Sequence, residues 1–287
     1  VMKIYSYLMC PKILPIIYIL FFSFLSAFAQ KPSESDVQIF NRYAELMKET
    51  PADKQFVETA LFFLDSPYTA NTLEGNHEEQ LVVNLREFDC TTFVESCMAL
   101  YNTVRNQPAS YDEFTHNLEL IRYRGGEIND YTSRLHYVTD WIADNENKGI
   151  TQDCTKAIGG VPMNVYVNYM SAHPQSYPAL RKDSRNTARM EVIENSINNR
   201  SDKYYYVPKA DIGEIQNSIR TGDILFFATS IKGLDVTHAG IAYWEGAKLT
   251  FIHASSKHKK VIVNPESLSD YCTGIKSNTG VIVVRMG

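Results

Sequence analysis

The segment "DCTTFVESCMALYNTVR" (residues 89–105) decides the fold, because it combines a helix pattern with a reactive side chain. From Phe93 onward, apolar residues recur at intervals of three and four, which is the spacing of one face of an α-helix. Asp89 is a favoured N-cap residue, so the helix is predicted to begin at Cys90. Cys97 falls in the apolar stripe and is expected in the core. Cys90 instead stands at the head of the helix.

The position of Cys90 suggests chemistry. The first turn of a helix presents unpaired N–H groups and the positive end of the macrodipole, and both stabilise an anion such as a thiolate. A lowered pKa and a nucleophilic role are therefore expected for Cys90. The alternative, on position alone, is a small buried core residue.

A cysteine nucleophile needs a base, and two of the seven histidines qualify. His238 and His253 each lie inside an apolar segment, "DVTHAGIAY" and "TFIHAS", and a tight "EGAK" connection joins the two. On neighbouring antiparallel strands, the two imidazoles would face the same side. His238 is predicted to be the base and His253 the residue that orients it.

The rest of the chain divides into helices followed by strands, which indicates the α+β class. Helices are predicted at residues 35–49, 52–64, 134–145, 162–174 and 188–198, an extended segment at 79–88, and a β-hairpin at 118–131 that turns at Gly125-Gly126. The C-terminal part is predicted to form an antiparallel meander of about five strands, in the segments "GDILFFAT", "VTHAGIAYW", "KLTFIHAS", "KKVIVN" and "TGVIVVRM".

The first 29 residues are predicted to be a signal peptide, because a short apolar run precedes the small-residue pattern "SAFAQ". The expected mature protein, residues 30–287, is a single domain with an N-terminal helical lead-in. The formal charge of −5 becomes −7 when the two positive charges of Lys3 and Lys12 are removed. Such an acidic chain is a poor candidate for binding nucleic acid or anionic membranes. Its ligand is expected to be neutral or to carry mixed charges.

Four cysteines remain after residue 29, too few for a disulfide scaffold. Cys90 and Cys97 cannot pair within one helix, since seven residues separate them by roughly 10 Å. A bond between Cys154 and Cys272 is possible from the sequence but nothing in it favours the pair.

Several motifs together resemble a known family. "SPYTANTLEG", "FDCTTFVE", "GDILFF", "THAGIAY" and "FIHAS" occur in the order found in the NlpC-type papain-like cell-wall cysteine peptidases, and "LVVNLREFDCTTFVE" and "SRLHYVTDWI" resemble the N-acetylmuramoyl-L-alanine amidase-like subgroup. The resemblance runs from about Leu61 to the C-terminus. It implies a papain-like core, in which the cysteine helix packs on the antiparallel sheet.

The resemblance also implies roles for single residues. Cys90 matches the nucleophile, His238 the base, His253 the third polar member, and Tyr68 a tyrosine near the nucleophile. Thr91-Thr92 replaces the Ser-Gly that usually follows the cysteine, which fits the amidase-like subgroup. The predicted substrate-binding residues are Tyr68, Thr91, Arg134 and His136.

The implied activity is hydrolysis of the amide between N-acetylmuramic acid and L-alanine in peptidoglycan or its fragments, without a cofactor, by an exported monomer of the periplasm or cell envelope. Three alternatives remain. A γ-D-glutamyl endopeptidase would use the same thiol. A zinc amidase would use His136 and Asp140 with His238 or His253, although no H-E-x-x-H signature is present. A non-catalytic wall-binding module would lack the nucleophile or the base, and neither is missing.

Overall fold

The computed structural model describes residues 34–75, 78–105, 108–200 and 204–287, and the predicted signal peptide lies outside these ranges. The α-helices of the described residues are α1 (Glu34–Lys48), α2 (Gln55–Phe62), α3 (Cys90–Arg105), α4 (Tyr111–Arg122), α5 (Val138–Asn147), α6 (Tyr169–Ala172), α7 (Pro178–Lys182), α8 (Ser184–Asn198), α9 (Ile212–Ile215) and α10 (Leu268–Gly274). None of the helices in these ranges is long and apolar enough to cross a lipid bilayer.

Eight strands form one antiparallel sheet in the described part of the chain. They are β1 (Thr151–Asp153), β2 (Val161–Pro162), β3 (Tyr205–Pro208), β4 (Ile224–Thr229), β5 (Val236–Glu245), β6 (Lys248–Ser255), β7 (Lys260–Val263) and β8 (Asn278–Met286). The order across the sheet is β2-β3-β8-β4-β5-β6-β7, and β1 also pairs with β8. The α+β class and the five predicted C-terminal strands are confirmed.

The predicted meander is wrong at its last strand. In the sheet, β8 does not lie beside β7 but pairs with β4, and Phe226 is opposite Ile282. β4 pairs with β5 at one edge and with β8 at the other, so it lies in the interior of the sheet, and all of its residues are buried. Helix α10, which was not predicted, carries the chain back across the sheet from β7 to β8.

The predicted hairpin at residues 118–131 is also wrong. Helix α4 begins at the N-cap Ser110, whose hydroxyl accepts from the N–H of Glu113 at 3.1 Å, and it continues through the predicted first strand. Gly125 and Gly126 adopt positive φ angles of 62° and 76°, but they form a 3₁₀ turn after the helix rather than a strand connection. The glycine pair was a turn signal, and it marks the end of a helix.

The other predicted elements have mixed outcomes. Helices α1, α2, α5 and α8 confirm four of the predicted helices, with somewhat different ends. The helix predicted at residues 162–174 is reduced to the single turn of α6, preceded by the short strand β2. Residues 79–88 form no regular strand: the backbone bends at Leu85 and Arg86, and Phe88 makes an isolated bridge to Tyr68.

Helix α3 occupies the centre of the molecule. It packs on β5 and β6 and is flanked by α2 and α4, so eleven of its sixteen residues are buried rather than one stripe. Even Glu95 is buried, and its carboxylate pairs with Arg122 of α4 at 2.7 Å. The other face of the sheet packs against a second apolar cluster that includes residues of α9 and α10. The sheet is thus covered on both faces, and α3 is packed directly against one of them.

Candidate active site

Cys90 is the first residue of α3, as predicted. The Asp89 carboxylate caps the helix, since Oδ1 accepts from the backbone N–H groups of Thr91 at 3.0 Å and Thr92 at 2.8 Å. The thiol therefore stands at the helix terminus with a half-buried side chain. Cys97, by contrast, is fully buried in the core, as expected.

The resting state of the Cys90 thiol differs from the expectation. Burial, followed by the negative charge of Asp89, raises the pKa of Cys90 to about 11. The backbone N–H of Ala239, the Thr91 side chain and the backbone N–H of Cys90 itself act in the opposite direction. The predicted lowering of the pKa by the helix terminus is thus outweighed by desolvation. Cys90 thus rests as a neutral thiol, so that a nucleophilic role would require a base.

The two predicted histidines meet on the sheet. His238 of β5 and His253 of β6 are joined by a hydrogen bond of 2.6 Å between Nε2 of His238 and Nδ1 of His253. The register explains the contact: Ile241 pairs with Ile252, so His238 and His253 are diagonal neighbours on the same face. Gly240 lies between them, and a Cβ at this position would come within 3.3 Å of the His253 Cβ.

Aromatic rings surround the histidine pair. The His253 ring centroid is 4.6 Å from that of Phe251, and the His238 centroid is 5.6 Å from that of Phe227. Tyr271 of α10 packs against both imidazoles. Burial lowers the pKa of His238 to about 4 and that of His253 to about 3. Both are neutral at neutral pH, so the second nitrogen of His238, Nδ1, can serve as a proton acceptor.

Several observations place the thiol beside this pair. The backbone N–H of Ala239, the residue after His238, acts to lower the pKa of Cys90. Helix α3 packs directly on β5, the strand that carries both residues. The charged form of Cys90 also contributes to raising the pKa values of Tyr271 and Tyr68. The structure thus gathers Cys90, His238, His253 and Tyr68 in one region, with Thr91 next to the thiol.

Sequence reasoning missed Asn264. This residue lies next to His253 on the face of the sheet that carries His238, and the three side chains form a polar row, His238–His253–Asn264. Ile252 pairs with Val263, so His253 and Asn264 are diagonal neighbours on one face, as His238 and His253 are. Asn264 is buried, and its amide nitrogen donates to the carbonyl of Glu266 at 3.1 Å. The Asn264 side chain acts to raise the pKa of His253. The alternation of "FIHAS" and "KKVIVN" contained this signal, because the strand parity puts both polar residues on one side.

Arg134 and His136 lie outside this row. Arg134 is 5% exposed and pairs with Glu74 at 2.8 Å and Glu79 at 3.4 Å, so its guanidinium is occupied by protein partners. The His136 Nε2 is 2.8 Å from the carbonyl of Tyr131, and burial lowers the pKa of this histidine to about 3. His136 and Thr91 line the same small apolar pocket of about 30 Å³. Their substrate role stays a prediction, and the contacts of Arg134 favour a structural role instead.

The structure also bears on the zinc alternative and on the pairing of Cys154 with Cys272. Among the described residues, no three His, Cys, Asp or Glu side chains converge as a metal site would need. Asp140, a zinc candidate in the alternative hypothesis, is held between Arg124 and Arg200. Cys154 and Cys272 are separate free thiols in the structure, each raised in pKa by burial.

The chain is similar to known structures over most of its length. A structure of an N-acetylmuramoyl-L-alanine amidase from Bacteroides uniformis is 41% identical, with a TM-score of 0.78, over 82% of this chain and 99% of that one. A protein from Bacteroides fragilis described as a candidate xylanase is 40% identical, with a TM-score of 0.76, over 80% and 99%. A Legionella pneumophila protein at 20% identity and a TM-score of 0.67, covering 88% and 94%, shares the fold.

No curated protein matches the sequence. A family model does: the AmiA-like family, described as N-acetylmuramoyl-L-alanine amidase-like, matches residues 58–281. This range includes the cysteine helix, both histidine strands and Asn264. The chain therefore belongs to the AmiA-like, N-acetylmuramoyl-L-alanine amidase-like family.

Proposed function

We propose that this protein is a cysteine-dependent N-acetylmuramoyl-L-alanine amidase, which hydrolyses the amide between the lactyl group of N-acetylmuramic acid and L-alanine in peptidoglycan or its fragments. The family match and the 41% identical amidase support the peptidoglycan amide as substrate. The observation that carries the mechanism is the bonded pair of neutral imidazoles, His238 and His253, beside a thiol at a helix head.

In the proposed first step, His238 takes the proton of the Cys90 thiol as the sulfur attacks the lactyl carbonyl carbon. Because the thiol is neutral at rest and His238 is unprotonated, the base transfers this proton during the attack rather than in a preformed ion pair. The carbonyl oxygen becomes an oxyanion, and the backbone N–H of Cys90 at the helix head is the proposed donor that stabilises it. His253 accepts the hydrogen bond from Nε2 of His238 and holds its tautomer.

In the second step, the proton on His238 passes to the nitrogen of L-alanine, the C–N bond breaks and the peptide leaves. A thioester then joins Cys90 to the muramoyl acyl group. His238 next takes a proton from water, hydroxide adds to the thioester carbonyl, and the thiol leaves with that proton. The products are a free lactyl carboxylate and a peptide that begins with L-alanine.

The finer assignments are part of the proposal. A helix with an N-terminal cysteine against an antiparallel sheet that carries the base supports a papain-like core. The composition of residues 1–29 supports export to the periplasm or envelope and a mature domain from residue 30. We propose a monomer that needs no cofactor, because the thiol and the two imidazoles supply the nucleophile, acid and base.

Glycoside hydrolysis, which the name of the Bacteroides fragilis structure suggests for that protein, is less well supported here. That reaction generally uses two facing carboxylates. Around the cavity that contains His238 and His253, Glu266 is the one carboxylate among the described lining residues. The reacting groups of this site suit acyl transfer to sulfur.

The test is digestion of defined muropeptides by residues 30–287 and by the Cys90→Ala variant, followed by mass spectrometry. Free stem peptide with an L-alanine amino terminus, released only by the unmutated protein, is the expected result. A released muramoyl dipeptide would establish the γ-D-glutamyl endopeptidase instead. Binding without any product would leave the wall-binding module.

A further inference from the structure

A cavity of about 360 Å³ lies directly beside the histidine pair. Its wall includes His238, His253 and Asn264, and it continues along the turn between β6 and β7, where it meets Ser256, Lys257 and His258. The proposed reaction does not use these turn residues. The cavity is separate from the small apolar pocket at Thr91 and His136.

The chemistry of the proposed reaction decides which part of the substrate enters this cavity. The general acid must lie next to the nitrogen of the leaving group, since it delivers a proton there. His238 is that acid, and it forms part of the cavity wall. A leaving peptide whose nitrogen lies next to His238 can therefore extend into the cavity.

The cavity presents an unneutralised cation. Lys48, Lys148, Lys248 and Lys260 each pair with a carboxylate, whereas no carboxylate of the described residues lies within ion-pairing distance of Lys257. Glu266 also lines the cavity and is exposed. The lining thus has one ammonium group, that of Lys257, and one carboxylate, that of Glu266, and the two do not pair with each other. Such a lining suits a peptide that carries a charged group.

The turn that carries Lys257 is held in place. The hydroxyl of Ser255 accepts from the backbone N–H of His258 at 3.3 Å and lies 3.1 Å from its Nδ1. On the outer side, the N–H of Tyr68 donates to the carbonyl of Lys259 at 2.9 Å, and Val261 donates to Ser66 at 2.8 Å. Because the backbone is fixed before a ligand arrives, the position of Lys257 requires little ordering on binding.

We propose that this cavity is the subsite for the leaving peptide and that Lys257 binds a free carboxylate of its second residue. The inference rests on the proposed function and adds to it a preference: a stem whose glutamate carboxyls are free is favoured over one whose carboxyls are amidated.

The experiment compares MurNAc-L-Ala-D-Glu with the same compound in which both glutamate carboxyls are amides. The unmutated protein, Lys257→Met and Lys232→Met are assayed for kcat/KM on each compound. Lys232 is an exposed lysine outside the cavity wall and serves as the matched control. Lys257→Met is expected to reduce the acid-to-diamide ratio of kcat/KM by about fivefold, the upper range for an exposed charge pair, and Lys232→Met is expected to keep the ratio.

An unchanged ratio in Lys257→Met, or an equal reduction in both lysine variants, would overturn the proposal. Binding of both compounds to the Cys90→Ala variant separates this result from a failure of the proposed function. If no protein turns over either compound, the amidase proposal fails, and the binding ratio of Cys90→Ala with and without Lys257→Met still decides the carboxylate subsite.

Discussion

Replacement of His253 by alanine tests the role of the residue that orients the base. In the structure, His253 is 2% exposed and its Nδ1 lies 2.6 Å from Nε2 of His238; in the proposed tautomer, Nε2–H of His238 is the donor. The alanine variant leaves that N–H facing the rings of Phe251 and Tyr271, without an acceptor. We expect a large loss of activity, because the unpaired group belongs to the base itself.

The magnitude follows from the charge on His238 in the transition state. There the imidazole becomes an imidazolium, and a hydrogen bond to a charged group contributes about 1.5–3 kcal/mol. Since each 1.4 kcal/mol is about a tenfold change in rate, kcat/KM should fall about 10- to 100-fold. Most of the loss should appear in kcat, because the bond strengthens as charge develops.

The assay is muropeptide turnover, with folding checked by circular dichroism. His253→Asn offers a side-chain oxygen to the same N–H and should recover much of the lost kcat. His173→Ala removes an exposed histidine and serves as the control. Unchanged kcat in His253→Ala, or an equal loss in His253→Asn and His253→Ala, would refute the proposed orienting role.

Three further predictions concern Asn264, the pH dependence of kcat/KM and the buried ion pairs of Arg134. Asn264→Ala should lower kcat by roughly three- to tenfold, because Asn264 acts to raise the pKa of His253 and a polar interaction of this kind contributes about 1 kcal/mol. Asn264→Asp should lower kcat less. Equal kcat in Asn264→Ala and the unmutated protein would exclude a role for Asn264 beside His253. The acid limb of the kcat/KM profile should fall near pH 4 rather than near 6.5, because burial lowers the pKa of His238 to about 4 and the base must be unprotonated; a limb at pH 6.5 would contradict a buried base. Arg134→Ala should lower the free energy of unfolding by about 3 kcal/mol, because it leaves Glu74 and Glu79 without their cation. Urea unfolding measures this change. A raised KM with unchanged stability would instead assign Arg134 to substrate binding.

The sequence was sufficient for the parts of the fold that local rules determine. The Asp89 cap and the apolar spacing after Phe93 predicted the start of α3. The short β-branched and aromatic segments between turn residues predicted β5 and β6. Their short connection predicted that His238 and His253 would meet. These features depend on neighbours in the chain, so single-sequence patterns contain them.

The parts that failed depend on tertiary contacts. The pairing of β8 with β4 joins two segments that are far apart in the chain, and the order of the segments does not reveal it. The apolar and glycine pattern at residues 118–131 fits a hairpin as well as a helix end, and packing against α3 selects the helix. The raised pKa of Cys90 arises from burial by the surrounding fold. Asn264 contacts the row only because β7 pairs with β6 in one register.

The most direct test of the account is the covalent intermediate on Cys90. A muropeptide with an intact stem is mixed with residues 30–287, quenched in acid within milliseconds to seconds, digested with pepsin and examined by mass spectrometry. The account predicts a thioester on the peptide that contains Cys90, with the mass of the muramoyl acyl group alone. A muramoyl-dipeptide mass on Cys90 would assign the endopeptidase reaction. Turnover that persists in Cys90→Ala, with no adduct on Cys90 in the unmutated protein, would contradict the central claim.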